Sequence, residues 1–216
     1  MRLGAISWIL AAQFFVAQVV VASAWPLPFD LAERYISDLG NTVCGPYPAG
    51  SNTIVCSPWH AWMNASFILL GITMGAGALL IRQAFRRGGL ALAARICFVM
   101  AGAGVALVGW FPENANMALH AAGAGLNFVL GNIALVLFGL TLTPDVARSW
   151  RWLGVAAGCV GLAGTALFVS GAYLGLGPGG MERVAAYPMP LWQIAMGMML
   201  LRHRPPESTA PPRAAL

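Results

Sequence analysis

No lysine occurs among the 216 residues, and only 9% of the chain is charged, so the charge is carried by a few arginines whose positions matter more than their sum. So little charge in a chain that is 59% hydrophobic, with mean hydropathy +0.73, excludes a soluble domain, because the apolar stretches far exceed what one core can bury. The chain reads as an all-α integral membrane protein. No CxxC motif is present, which weighs against thiol redox chemistry. No internal repeat stands out either. Small-residue runs such as "AGAGVALVG" and "HAAGAGLNFVLG" recur because helices in lipid pack through glycine and alanine.

What is there is a set of six apolar runs: Ala5 to Trp25, Trp59 to Ile81, Leu90 to Phe111, Met117 to Leu142, Trp152 to Leu174, and Arg183 to Leu201. Each is about 20 residues, enough to cross a hydrocarbon core roughly 30 Å thick. The expectation is a six-helix transmembrane bundle over residues 1–202 with a disordered, Pro-rich tail from His203 to Leu216. Alternating the sides puts ten arginines against Asp145 and Glu207 on one face, net +8. The other face has Arg34 and Arg183 against five carboxylates, net −3. The positive-inside rule then places both termini in the cytoplasm of a cell membrane. The basic balance points to anionic lipid headgroups as partners, not to nucleic acid. A second reading stays open at the N-terminus, where Arg2, an apolar run and Ala22-Ser23-Ala24 resemble a cleavable signal peptide. The length of the run and Gln13 and Gln18 within it favour a retained span.

Residues 26–57 form the one long outer loop. Cys44 and Cys56 flank its Gly-, Pro- and Ser-rich part, and in an oxidising compartment they are expected to pair, closing a loop worth about 3 kcal/mol. Cys97 and Cys159, inside spans, read as small buried hydrophobes. Ahead of the cysteines, "PLPFDLAERYISDLG" has Asp30 as an N-cap, Glu33 in capping-box position and Gly40 as a stop. The spacing predicts a helix of about two turns with Leu31, Tyr35 and Leu39 on one apolar stripe.

Polar side chains then collect at one end of the spans. His60 and Asn64 are one turn apart at the start of the second span. Asn116, His120, Asn127 and Gly131 follow one stripe of the fourth, and both histidines lie within about 6 Å of the outer ends of their spans. Glu113 precedes the fourth span, and Glu182 and Arg183 open the sixth. Polar groups at membrane depth are costly and face a bundle interior or a wet cavity, so their convergence suggests a site. Each also has a plainer role available. His60 beside Trp59 and Trp62 fits an interfacial residue, Asn64, Asn127, Asn132 and Gln193 fit interhelical bonding, and Glu182 with Arg183 fits a surface ion pair.

Four separated motifs, "YISDLGNTVCG", "VCSPWHAWMNASFILLG", "WFPENANMALHAAGAGLNFVLGN" and "GGMERVAAYPMPLW", resemble the prokaryotic domain-of-unknown-function family 998, six-span membrane proteins without an established activity. The resemblance covers roughly residues 5–202 and implicates Ser37, Asp38, His60, Asn64, Glu113, His120, Glu182 and Arg183. It implies a fold and a location, not a reaction. Three functional classes remain. The favoured one is an outward-facing polar pocket, with Asn116 and Asn127 on its wall, that binds a lipid headgroup or small ligand. The first alternative is a zinc-dependent membrane hydrolase using His60 and His120, as in seven-span ceramidase-like hydrolases, although their His-x-x-x-His pair is missing here. The second is electron transfer by one haem between the same two histidines.

Overall fold

In hydrocarbon every backbone polar group needs an internal partner, so apolar runs of this length become helices. The computed structural model describes residues 1–143 and 148–202. Asp145, the tail from His203 and the side chain of Arg148 lie outside the described residues. Among the described residues, six helical spans are long and apolar enough to cross a membrane: Arg2–Ser23, His60–Leu80, Gly89–Trp110, Met117–Thr141, Ser149–Ser170 and Gly177–Arg202. The protein is a multi-pass, six-helix membrane protein. The first span consists of α1 (Arg2–Ile9) and α2 (Ala12–Ser23); α3 (His60–Leu80) and α4 (Gly89–Trp110) are the second and third. The fourth contains α5 (Met117–Gly125), a π-helical segment (Leu126–Gly131) and α6 (Asn132–Thr141). The fifth is α7 (Arg148–Ser170), and the sixth joins α8 (Gly177–Ala186) to α9 (Pro188–Arg202).

Neighbouring helices meet through small residues. A methyl group on Gly71 of α3 would run into the carbonyl oxygen of Gly102 on α4, and one on Gly104 into that of Gly123 on α5. The same close approach joins α6 to α7 at Gly139 and Gly158, and α7 to α8 at Gly164. With α1 seated between α3 and α9, the bundle closes around an aromatic cluster. Trp8 sits 5.7 Å from Phe98, 5.9 Å from Phe138 and 5.3 Å from Trp192, and Phe138 stacks on Trp192. This cluster lies toward the end that carries Arg2, Arg82, Arg86, Arg87 and Arg202, the arginine end. Loop 24–59 covers the other, the cap end.

Several boundaries differ from the expectation. The first span tightens into i→i+3 bonds at Leu10 and Ala11. The fifth stops at Ser170 because Gly171 takes φ +74, a left-handed helix terminus. The sixth begins six residues early, at Gly177, so Glu182 and Arg183 lie within a helix rather than at its mouth. Pro188 opens α9, where its missing N–H costs least, and a single residue, Tyr187, separates α9 from α8. Cys159 faces outward and is exposed, not buried.

The cap departs most. Asp30 does cap a turn, accepting from Ala32 N at 2.8 Å, but the predicted helix ends after that turn. The chain runs on to a 3-10 turn at Ser37–Gly40. The reason is tertiary: the groups a longer helix would have used are taken by α8. Ala32 O accepts from Gly179 N and Gly180 N, Leu31 O and Arg34 O accept from Arg183, and Ile36 N donates to Glu182. The apolar stripe therefore splits, with Leu39 fully buried and Leu31 exposed. Beyond it, β1 (Gly45–Pro46) pairs antiparallel with β2 (Ile54–Val55), and the expected Cys44–Cys56 disulfide closes the hairpin.

Candidate functional site

Three carboxyls from three separate segments meet beneath the cap. Asp38 comes from the 3-10 turn, Glu113 from the 111–116 turn between α4 and α5, and Glu182 from α8. Each is less than 8% exposed. Their positions follow from the hydrogen bonds around them. Glu182 Oε2 accepts from Ile36 N, Asp38 Oδ2 accepts from Tyr35 N at 3.1 Å, and Glu113 Oε1 accepts from Asn41 Nδ2 at 3.0 Å. Asp38 and Glu113 lie close enough for the charge of one to act on the other, with Ser37 beside Glu113. Burial pushes the Asp38 carboxyl up. It pushes Glu113 up to about 8, with the Asp38 charge adding to the effect. Tyr35 and Tyr47 rise to about 12, mainly through burial, and stay protonated.

These groups form one end of a cavity of about 810 Å³. Ser37, Asp38, Glu113, His120 and Glu182 line it with Tyr35 and Tyr47; Glu33 and Arg34 lie at its rim. Its other end is apolar, formed by Ala121, Ala124, Phe128 and Val129 on the fourth span and Phe168 and Val169 on the fifth. A smaller internal cavity of about 40 Å³ lies against it, sharing Ser37, His120 and Glu182 and reaching Asn127. Its lining is mostly apolar, with Phe14, Phe67, Leu70 and Met74 facing the few polar side chains. The π-helical segment bounds both spaces, and such segments recur at functional sites because they break the regular ladder.

His120 is 7% exposed and donates through Nδ1 to Phe111 O at 3.0 Å. Asn127 donates to Ala101 O at 3.3 Å and so ties the π-helical segment to α4. Arg183, equally buried, stands behind the carboxyl wall. One nitrogen, Nη1, donates to Leu31 O, Arg34 O and Gly179 O at 3.0, 2.8 and 2.8 Å, which makes it the post on which the cap is hung. Glu182 and Arg183 are therefore buried parts of the cap mount and not a surface pair.

The remaining sequence candidates lie elsewhere. His60 donates through Nδ1 to Ser57 O at 2.9 Å, a local cap of α3, and lines neither cavity. Asn64 donates to Gly40 O at 2.9 Å and clamps the cap onto α3. Asn116 is the exposed N-cap of α5, accepting from Leu119 N. His60 and His120 are thus given separate local partners. Among the described residues, no three His, Cys, Asp or Glu side chains are grouped so as to hold a metal ion. Asn132 bonds Ala185 O across to α8, whereas Gln193 is fully buried without a hydrogen-bond partner. Tyr35, Asn41, Tyr47 and Ser57, absent from the sequence candidates, help to build the wall or its support. Tyr35, Asn41 and Ser57 sit inside the motifs that carry the family resemblance, so those motifs were the available signal.

Helical spans, a disulfide-closed cap and buried carboxyls beneath it define a multi-pass membrane protein with its polar groups gathered at one end. The family model described as "Protein of unknown function (DUF998)" matches residues 9–199, and the chain belongs to that family. No curated protein and no solved structure matches the chain.

Proposed function

We propose that the cavity under the cap is a binding pocket for a lipid headgroup or small ligand, serving transport, sensing or envelope assembly rather than metal or haem chemistry. The observation that carries this reading is the convergence of Asp38, Glu113 and Glu182 from three segments on one wall of an 810 Å³ space. That volume lies in the range of small-molecule sites, and buried carboxyls are retained at a cost that binding can offset. The arginine end faces the cytoplasm of the cell membrane in this reading, against anionic lipid, and nucleic acid is not a partner. Arg2, Arg82, Arg86, Arg87 and Arg202 at that end support it, as does the Cys44–Cys56 disulfide at the other.

The test is native mass spectrometry of protein released from its own membranes. A bound small molecule or lipid is expected on the natural protein and is expected to be lost from Ala121→Trp, which fills the apolar side of the cavity. Identical adducts on both proteins would sink the proposal. Labelling of a single cysteine placed at Asn52 in intact cells tests the orientation: modification by an impermeant reagent is expected, and protection would reverse it.

A further inference from the structure

We infer that the ligand of this cavity is a cationic single-chain amphiphile, an amine on a hydrocarbon tail, which enters sideways from the lipid between the fourth and fifth spans. The inference rests on the pocket reading above and narrows it to a chemical class.

Two independent features support it. The first is the sorting of the walls. Acceptors crowd one end: the Asp38, Glu113 and Glu182 carboxyls, backed by the hydroxyl of Ser37. The arginine nearest in sequence to Glu182, Arg183, commits Nη1 to three backbone carbonyls and does not line the cavity, although its charge still reaches Asp38 and Glu182. Arg34 at the rim lies over the Trp25 ring, its guanidinium carbon 5.9 Å from the centroid. His120, more than nine-tenths buried and spending Nδ1 on Phe111 O, lines the same space. The three carboxyls and Glu33 at the rim outnumber the guanidiniums of Arg34 and Arg183, and an ammonium group offers three N–H donors and a positive charge to that excess of acceptors. A phosphate or carboxylate would bring more acceptors to acceptors.

The second feature is the opening. The fifth span packs tightly on α6 toward the arginine end, through Gly139 and Gly158, but leaves α5 toward the cap end, where the cavity intervenes. At this gap a methyl group on Gly125 would meet nothing within 4 Å, and Val129 and Val169 are 41% and 79% exposed. All of these residues belong to membrane spans, so the gap faces acyl chains. A ligand that passes here leaves its tail among Phe128, Val129 and Phe168 while its head reaches the carboxyls. A tail-less amine gains only the headgroup contact.

The experiment is isothermal titration of the protein in phosphatidylcholine nanodiscs, with empty discs subtracted, using dodecylamine, butylamine and dodecyl phosphate. Dodecylamine is expected to saturate one site, with butylamine roughly a hundredfold weaker or worse for want of the tail. Glu113→Gln is expected to weaken dodecylamine by roughly tenfold or more. Gly125→Leu, which closes the gap without touching the polar wall, is expected to abolish its binding, so the test survives if the Glu113 variant does not fold. Tighter binding of dodecyl phosphate that is still lost in Gly125→Leu would overturn the cationic headgroup and leave the pocket standing. Butylamine binding as well as dodecylamine, or dodecylamine binding unaffected by Gly125→Leu, would overturn entry from the lipid. Absence of saturable binding by all three probes would overturn the inference, and unchanged adducts in the Ala121→Trp comparison would separately remove the pocket itself.

Discussion

The two ends of the bundle solve opposite problems. At the arginine end the helices close on Trp8, Phe98, Phe138 and Trp192, a cluster held by shape alone apart from the bond from Trp8 Nε1 to Met74 O. At the cap end the spans part, and polar side chains hold a loop across the gap by named hydrogen bonds to backbone groups. Lipid is as apolar as leucine, so an aromatic cluster contributes through packing and not through removal from water. Buried carboxyls and an arginine have no such neutral alternative, because each needs partners supplied from several segments at once. Stability should therefore be concentrated in the first region and pH and redox sensitivity in the second.

Breaking the closed end should have the largest effect. Trp8→Ala removes the centre of the aromatic cluster and is expected to cost about 3–5 kcal/mol, read by unfolding in mixed micelles, with the cap disulfide still formed. A loss below about 1 kcal/mol would show that the cluster is not what holds this end. Arg183→Met comes next, since it strips three carbonyls of their donor. A cost of about 3 kcal/mol is expected, together with faster amide exchange at Ile36 and Gly179 but not at Trp8. Uniform acceleration would mean that the two ends are one cooperative unit. Reducing the Cys44–Cys56 bond is expected to cost about 2–3 kcal/mol of thermal stability for its short loop, and the Cys44→Ser variant should be insensitive to reductant.

The pH response sharpens the contrast further. Burial raises the Glu113 carboxyl from its ordinary value to about 8, so the folded state holds a proton that the unfolded chain releases near 4.5. The associated stability is fully present below about pH 4.5 and is lost as pH climbs through about 8. Thermal unfolding followed from pH 4.5 to 9 should show that decline in the natural protein and a flatter profile in Glu113→Gln, whose amide imitates the protonated acid. A decline of equal size in the variant would assign the effect to other groups. The smallest change is expected for His60→Ala, about 1 kcal/mol for one bond to Ser57 O, with the proposed ligand binding unaltered. Loss of that binding would return His60 to the site.

Some of this was legible before folding was considered. The six apolar runs, the distribution of arginine and the paired cysteines follow from local composition, because crossing a membrane constrains every window of about 20 residues by itself. Asp38, Glu113, His120 and Glu182 could be singled out as polar groups that needed an explanation. Their fates could not. His60 and His120 looked equivalent in depth, yet His60 caps its own helix while His120 faces the cavity. The predicted cap helix was sound in its first turn and wrong after it, since Asp30 is a local partner and Glu182, Arg183 and Gly179 are about 150 residues away in sequence.

That division has one physical cause. Hydropathy, span length and disulfide pairing within a short loop are properties of contiguous residues, and the chain states them directly. The cavity, the meeting of Asp38 with Glu113, and the role of Arg183 depend on which buried donor finds which acceptor across the bundle. Several partners of similar chemistry were available to each, and only the packing of glycine faces, which sets how far apart the spans stand at the cap end, selected among them.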